Sequence, residues 1–199
     1  MEVSVRVLFV DCCTKEGGAS KTRQLCRIFL DEVKRLHPEY EVETLVLKEK
    51  KLVPLEEADI VRRNALIRAG ETGDCMFDHA RQFADAERIV AAAPYWDLSF
   101  PSMLKVYIEH IFVNGIAFAY EGPRAVGRCI AEKFMYIQTA GGFVGENEPG
   151  SMYLKAVCKM LGIPEFQYIC AEGMDIQEID REQQWRTAVE ETVKAAQQW

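Results

Sequence analysis

Ile89-Val90-Ala91-Ala92-Ala93-Pro94-Tyr95-Trp96-Asp97-Leu98-Ser99-Phe100-Pro101 joins a continuous apolar run to a stiff aromatic loop. Such a run suits a strand buried on both faces of a parallel sheet. Val5 to Val10, Phe134 to Thr139 and Phe166 to Ala171 read the same way. Glu41 to Leu47 instead alternates Val42, Thr44 or Leu45 and Leu47 with polar residues, the pattern of an edge strand. Between these runs, apolar residues recur three and four apart, which predicts helices over 22–36, 75–83, 103–113, 151–161 and 181–199. Gly162 and Pro164 stop the fourth of them. The resulting order β-α-β-α-β-α-β-α-β predicts an α/β fold, a doubly wound parallel sheet with right-handed crossovers. One domain is expected over residues 1–199. Residues 118–128 and 141–150 read as long loops. Lys48, Lys50 and Lys51, flanked by Glu49, Glu56 and Glu57, read as a solvated loop.

The 199 residues carry a formal charge of -7, which disfavours nucleic acid or an anionic membrane as the main partner. No leader pattern precedes the first apolar run and no run reaches membrane-spanning length, so a cytoplasmic protein is expected. The seven cysteines contain no Cys-x-x-Cys pair, which leaves zinc ribbons and thioredoxin-type motifs unsupported. Adjacent Cys12 and Cys13 fit either a strained vicinal disulfide or two reduced thiols, and reduced thiols suit a cytoplasmic chain of this size better. No metal site is expected.

In a doubly wound sheet, ligands bind outside the carboxyl ends of the strands, near the topological switch point. That rule selects three loops. The first, Thr14 to Thr22, places Gly17 and Gly18 before the hydroxyls of Ser20 and Thr22 and the start of a helix. A helix N-terminus offers free N–H groups and a positive dipole end to a phosphate, and Ser20 also suits a helix cap. The spacing is neither a Walker A loop nor Gly-x-Gly-x-x-Gly, so a mononucleotide fits it better than a dinucleotide. The second loop, Pro94 to Pro101, sets Tyr95 and Trp96 where a planar ring could lie against them. The third, Thr139-Ala140-Gly141-Gly142-Phe143, has paired glycines that allow close approach and positive φ.

The stretch from Pro94 to His110, the segment Asn114 to Tyr120 and the run Thr139-Ala140-Gly141-Gly142 together resemble the flavodoxin-like FMN-dependent NADH-azoreductases and NAD(P)H:quinone reductases. The likeness spans about Val5 to Leu161. It implies the flavodoxin-like strand order 2-1-3-4-5 and a bound FMN. It also implies ping-pong transfer from NADH or NADPH to a small aromatic acceptor such as a quinone or azo compound. By the same resemblance Ser20, Lys21 and Thr22 would hold the FMN phosphate. Pro94, Tyr95, Trp96, Asp97 and Leu98 would border the ring, and Thr139, Ala140, Gly141 and Gly142 would close its other side. Cys12 stands near the end of the first strand where a hydroxyl is often seen, and is counted with the cofactor-binding residues. A homodimer is implied, with Phe118 and Tyr120 reaching toward the partner's flavin, though local packing would also explain them. Phe143 joins them as a pocket residue.

Asp97 stands where the azoreductases commonly carry an amide. A carboxylate beside the ring would disfavour negative charge there. The flavin carries the hydride chemistry, so no side chain is assigned as catalytic, His37, His79 and His110 included; His110, in the helix after the second loop, is read as structural or solvent-facing, and it is the best placed of the three if a histidine donates protons. A flavodoxin-type electron carrier is the alternative function. Carriers are commonly shorter and lack the 118–128 excursion. A regulatory protein that had lost its flavin would be expected to lose the aromatic loop or the glycines, and both remain.

Overall fold

The computed structural model describes residues 4–15, 20–146 and 148–199. Five parallel strands form the central sheet: β1 (Arg6–Asp11), β2 (Glu41–Val46), β3 (Arg88–Ala92), β6 (Lys133–Thr139) and β7 (Glu165–Ala171). Their spatial order is β2-β1-β3-β6-β7, which is 2-1-3-4-5 when only these five are counted. The remaining strands, β4 (Phe118–Glu121) and β5 (Arg124–Gly127), pair with each other as an antiparallel hairpin.

Alternation along the central strands divides the core. Leu8, Val10, Ile89, Ala91, Phe134 and Tyr136 face one side. They pack there against α4 (Asp78–Ala84), α5 (Ser102–Ile111) and α6 (Pro149–Leu161). Val7, Phe9, Val90, Ala92, Met135 and Ile137 face the other side, against α1 (Lys21–Leu36) and α7 (Arg181–Ala196). Strands buried on both faces must be apolar at every position, which is why these runs read as continuous rather than alternating. Burial of each large side chain contributes about 2 kcal/mol. Because the chain leaves β1 in one direction and β3 in the other, the loops after β1, β3 and β6 meet at one edge.

Three expectations need correction. Lys48 and Lys50 lie not in a loop but in a short helix, α2 (Leu47–Lys50), which Lys51 ends with φ +50°. Leu47 therefore opens that helix instead of closing β2. Residues 118–128, read as a loop, contain the β4–β5 hairpin. A further helix, α3 (Glu57–Ala69), has no buried residue, so it leaves no apolar stripe to read. Leu66 and Ile67 pack against Phe77, Ala80 and Val113, and the ends of the helix are capped. The Glu56 side chain caps the first turn, the Glu56 amide donates to Asp59 at 3.0 Å, and Gly70 closes the helix at φ +74°. The predicted helix over 75–83 begins as a 3-10 turn, Cys75–Phe77, before α4. Among the described residues no helix is long and apolar enough to cross a membrane.

Tyr107 on α5 is 1% exposed, and its hydroxyl has no hydrogen-bond partner among the described residues. Its ring packs edge-on to His79 and Phe83. An orphaned buried hydroxyl costs free energy that an apolar group of the same shape avoids. Tyr107→Phe is therefore expected to leave stability unchanged or raise it by about 1 kcal/mol. Denaturant unfolding at constant m-value checks this; a loss beyond 1 kcal/mol would contradict it.

Candidate functional site

The described residues that lead into the first loop gather around one guanidinium. Asp11, 3% exposed at the end of β1, accepts the Cys13 amide at 2.8 Å and the Arg23 Nε at 2.6 Å. Arg23, on the first turn of α1, also donates to the carbonyls of Lys15 (2.6 Å) and Cys13 (2.8 Å). Burial without such partners would be prohibitive for either charge. Ser20 is the N-cap of α1, its Oγ accepting the Arg23 amide at 3.2 Å. The amides of Lys21 and Thr22 then have no intrahelical acceptor, and the dipole end of a 16-residue helix lies behind them. Gly17 and Gly18 fall outside the described residues.

The second loop is a tight turn. The Trp96 amide donates to the Ser99 carbonyl at 3.1 Å, and the Ser99 amide returns the bond to Trp96 at 2.8 Å. Between them Asp97 has φ +48° and Leu98 φ +68°, the left-handed pair of a type I′ turn. Asp tolerates that region, whereas a bulky Leu there is strained and needs its surroundings to hold it. The turn projects outward, with Trp96 45% and Leu98 70% exposed. Tyr95 donates its amide to the Thr139 carbonyl at 3.0 Å, which ties this loop to the third.

The third loop leans on a fourth. The amides of Met174, Asp175 and Gly173 donate to the carbonyls of Ala140 (3.0 Å), Gly141 (2.9 Å) and Gly142 (3.0 Å). A Cβ on Gly141 would lie 2.5 Å from the Asp175 Oδ2, whereas one on Gly142 would meet nothing within 4 Å. Across the floor, the hydroxyls of Thr22 and Thr139 are 2.6 Å apart and join the start of α1 to the end of β6.

A profile of the family described as having a flavodoxin-like fold matches residues 5–196. The FMN-dependent NADH:quinone oxidoreductase 2 of Clostridium acetobutylicum is 34% identical over 200 residues, covering 98% of this chain and 99% of the relative. This chain belongs to the flavodoxin-like FMN-dependent NADH:quinone oxidoreductases. The fold agrees with that of an azoreductase from Bacillus anthracis str. Sterne (TM-score 0.87, 22% identity, 98% and 100% of the two chains). It also agrees with an FMN-dependent NADH-azoreductase from Bacillus anthracis str. Ames Ancestor in complex with FMN (TM-score 0.84, 21% identity, 97% and 98%).

Within this quinone oxidoreductase chain, Ser20, Thr22, Thr139 and Ala140 gather with the Pro94–Leu98 turn at the carboxyl edge of the sheet. Lys21 differs: its Nζ lies 4.6 Å over the Trp185 ring on α7. The Cys12 side chain is wholly buried and its amide donates to the Ala92 carbonyl, so it shapes the wall from behind. Cys12 packs in one half of the core and Cys13 in the other, and both are free thiols. Opposite sheet faces rule out a vicinal bridge in this conformation. Neither Gly141 nor Gly142 adopts positive φ; at Gly141 the glycine makes room for Asp175.

Phe118 is 8% exposed and packs locally between Phe112 and Tyr120, while Tyr120 and Phe143 stand 62% and 64% exposed. The histidines make structural contacts: His37 stacks on Tyr40, His79 packs edge-on to Tyr107, and the His110 Nε2 sits 2.9 Å from the Val53 carbonyl oxygen. Sequence reasoning missed Arg23, which bonds Asp11, Cys13 and Lys15, and Asp175, which backs Gly141. The strand-end rule applied to β7 would have found the second.

Proposed function

We propose that this chain holds FMN at the carboxyl edge of its sheet and uses NADH or NADPH to reduce small aromatic acceptors such as quinones and azo compounds. The observation that carries the reading is the turn at Asp97 and Leu98. A strained, outward-facing apolar turn sits beside a helix N-terminus at the switch point of the sheet. The donor set suits the group: unpaired amides and the Ser20 hydroxyl for a phosphate, and apolar Trp96, Leu98 and Phe143 for a flat ring. Open space beside Gly142 leaves backbone accessible to the polar edge of that ring. When bound, FMN supplies the acceptance of hydride from the nicotinamide and its later delivery to the acceptor.

The protein supplies place and shielding. The α1 N-terminus and Ser20 bind the phosphate, and the Lys21 ammonium stays on Trp185, adding its charge at longer range. The turn and the Thr139–Gly142 wall orient the ring from its two sides. A homodimer is part of the same proposal. Trp96, Leu98, Tyr120 and Phe143 remain exposed in one chain, and a second copy would cover them and exclude water from the site. The seven free cysteines favour a cytoplasmic setting.

The visible spectrum of the purified protein tests the reading. Flavin bands should bleach on anaerobic addition of NADH and return on addition of a quinone. Colourless protein that takes up no added FMN would overturn it. Asp97 adds a sharper test. Its carboxylate opposes the arrival of electrons, so Asp97→Asn should raise the midpoint potential. A water-screened unit charge at contact range is worth about 1 kcal/mol, or about 20 mV for a two-electron couple. Equal potentials in a redox titration of the two proteins would sink this idea.

A further inference from the structure

Gln138 is the penultimate residue of β6, just before Thr139, and is wholly buried. Its Oε1 accepts the Tyr168 hydroxyl at 2.7 Å and the Cys170 thiol at 3.7 Å. Its Nε2 donates to the Tyr136 hydroxyl and to the Ser99 carbonyl at 3.2 Å. Two donors and two lone pairs are all that a carboxamide has, so all of its capacity is used. A backbone carbonyl only accepts, which fixes the nitrogen toward Ser99.

Three of these contacts stay within β6 and β7. The fourth leaves the sheet and grips the base of the turn, at the carbonyl that also accepts the Trp96 amide. The turn needs such a grip, because Asp97 and Leu98 hold left-handed angles that Leu disfavours. A buried amide is costly in an apolar sheet unless every bond is made. Core packing alone would be served as well by an apolar side chain of this length.

We propose that Gln138 is a positioning residue for the flavin ring, clamping the Trp96–Ser99 turn to the strand whose next residue begins the opposite wall. The inference rests on the reading above that this turn borders FMN. One buried amide then sets the spacing of both walls, through its side chain on one side and its own backbone on the other.

The test uses full-length protein stripped of FMN and rebound, with the dissociation constant read from flavin fluorescence and the bound flavin's absorption spectrum recorded beside it. Gln138→Met should weaken FMN binding about 10- to 100-fold and move the spectrum toward that of free flavin. Tyr168→Phe breaks a bond that does not reach the turn and should stay within threefold of the parent. If Tyr168→Phe loses as much as Gln138→Met, sheet packing is responsible and the inference falls.

Gln138→Glu keeps the shape and guards against a Met variant that does not fold. The ionised carboxylate repels the Ser99 carbonyl, whereas the protonated form donates to it. Titratable groups facing the position are Tyr136 on β6, Tyr168 and Cys170 on β7, and Glu148 at the start of α6. Burial and the Glu148 charge both favour protonation of an introduced carboxyl. Affinity relative to the parent should therefore recover as pH falls from 8 to 5. Recovery that never comes, or a Gln138→Met protein that binds as the parent does, overturns the inference. Trp96→Ala separates the two levels. If it leaves both affinity and spectrum unchanged, the flavin is not at this turn and the underlying reading fails. If Trp96→Ala shifts them and Gln138→Met does not, only the role of Gln138 fails.

Discussion

Gly127→Ala should cost about 3 kcal/mol or more, the upper end of what overpacking exacts. A Cβ at this position would overlap the carbonyl carbon of Leu161 and the amide nitrogen of Gly162. Both are backbone atoms of the α6 terminus, so no side chain can rotate away. Relief from the other side is also blocked. Gly162 sits at φ +87° as the C-cap, and its own Cβ position lies 3.2 Å from the Gly127 backbone. The two glycines let β5 lie directly on the end of α6, and the Cys129 amide donates a hydrogen bond to the Leu161 carbonyl at 3.2 Å. The alanine variant must lift the hairpin off the helix. Phe118 and Tyr120 sit on its first strand, so they move too. Urea denaturation should show the lowered midpoint, and a Gly127→Ala protein within 1 kcal/mol of the parent would show that the hairpin yields freely.

Arg23→Leu should be the costliest change at the site, at about 3–5 kcal/mol, the range for a buried ion pair broken from one side. The Asp11 carboxylate would stay buried without its cation, and the carbonyls of Cys13 and Lys15 would lose their donor. FMN affinity should fall with stability, because these bonds tie Cys13 and Lys15 to the first turn of α1. Adding Asp11→Asn removes the stranded charge yet keeps an acceptor for the Cys13 amide. The double variant should therefore recover a large part of the stability lost, by a coupling beyond additivity. A double variant whose loss equals the sum of the two single losses would show that the pair is not coupled.

What the sequence reveals follows from where each residue finds its partner. The central strands were legible because burial on both faces makes them continuous apolar runs, and five helices because burial on one face imposes a period, as in Leu25, Phe29 and Val33 on α1. α3 was invisible because no residue of it is fully buried and only Leu66 and Ile67 pack against the core, too few to make a stripe. The turn at Asp97 hid for a different reason: type I′ turns favour glycine or asparagine at both centres, and Leu98 supplies neither. At the site, loops chosen by the strand-end rule hold the gathered residues. Gln138, Arg23 and Asp175 were missed, being polar groups whose partners lie on other elements. Gln138 reads as one more strand residue until Ser99, 39 positions away, is folded against it.

Cys12 and Cys13, turned to opposite faces of the sheet, belong to a wider pattern among the thiols. Burial pushes Cys13, Cys129, Cys158 and Cys170 up to about 12 and raises Cys12 and Cys26 well above the ordinary range. At neutral pH a thiol with a pKa near 12 is ionised in roughly one molecule in 100,000. The thiolate is the nucleophile, and quinones are electrophiles that arylate it. Cys75 is the exposed exception. A chain so arranged buries five of its seven thiols and half-buries a sixth, Cys170, away from the acceptors proposed for it, and so resists inactivation by its own substrates.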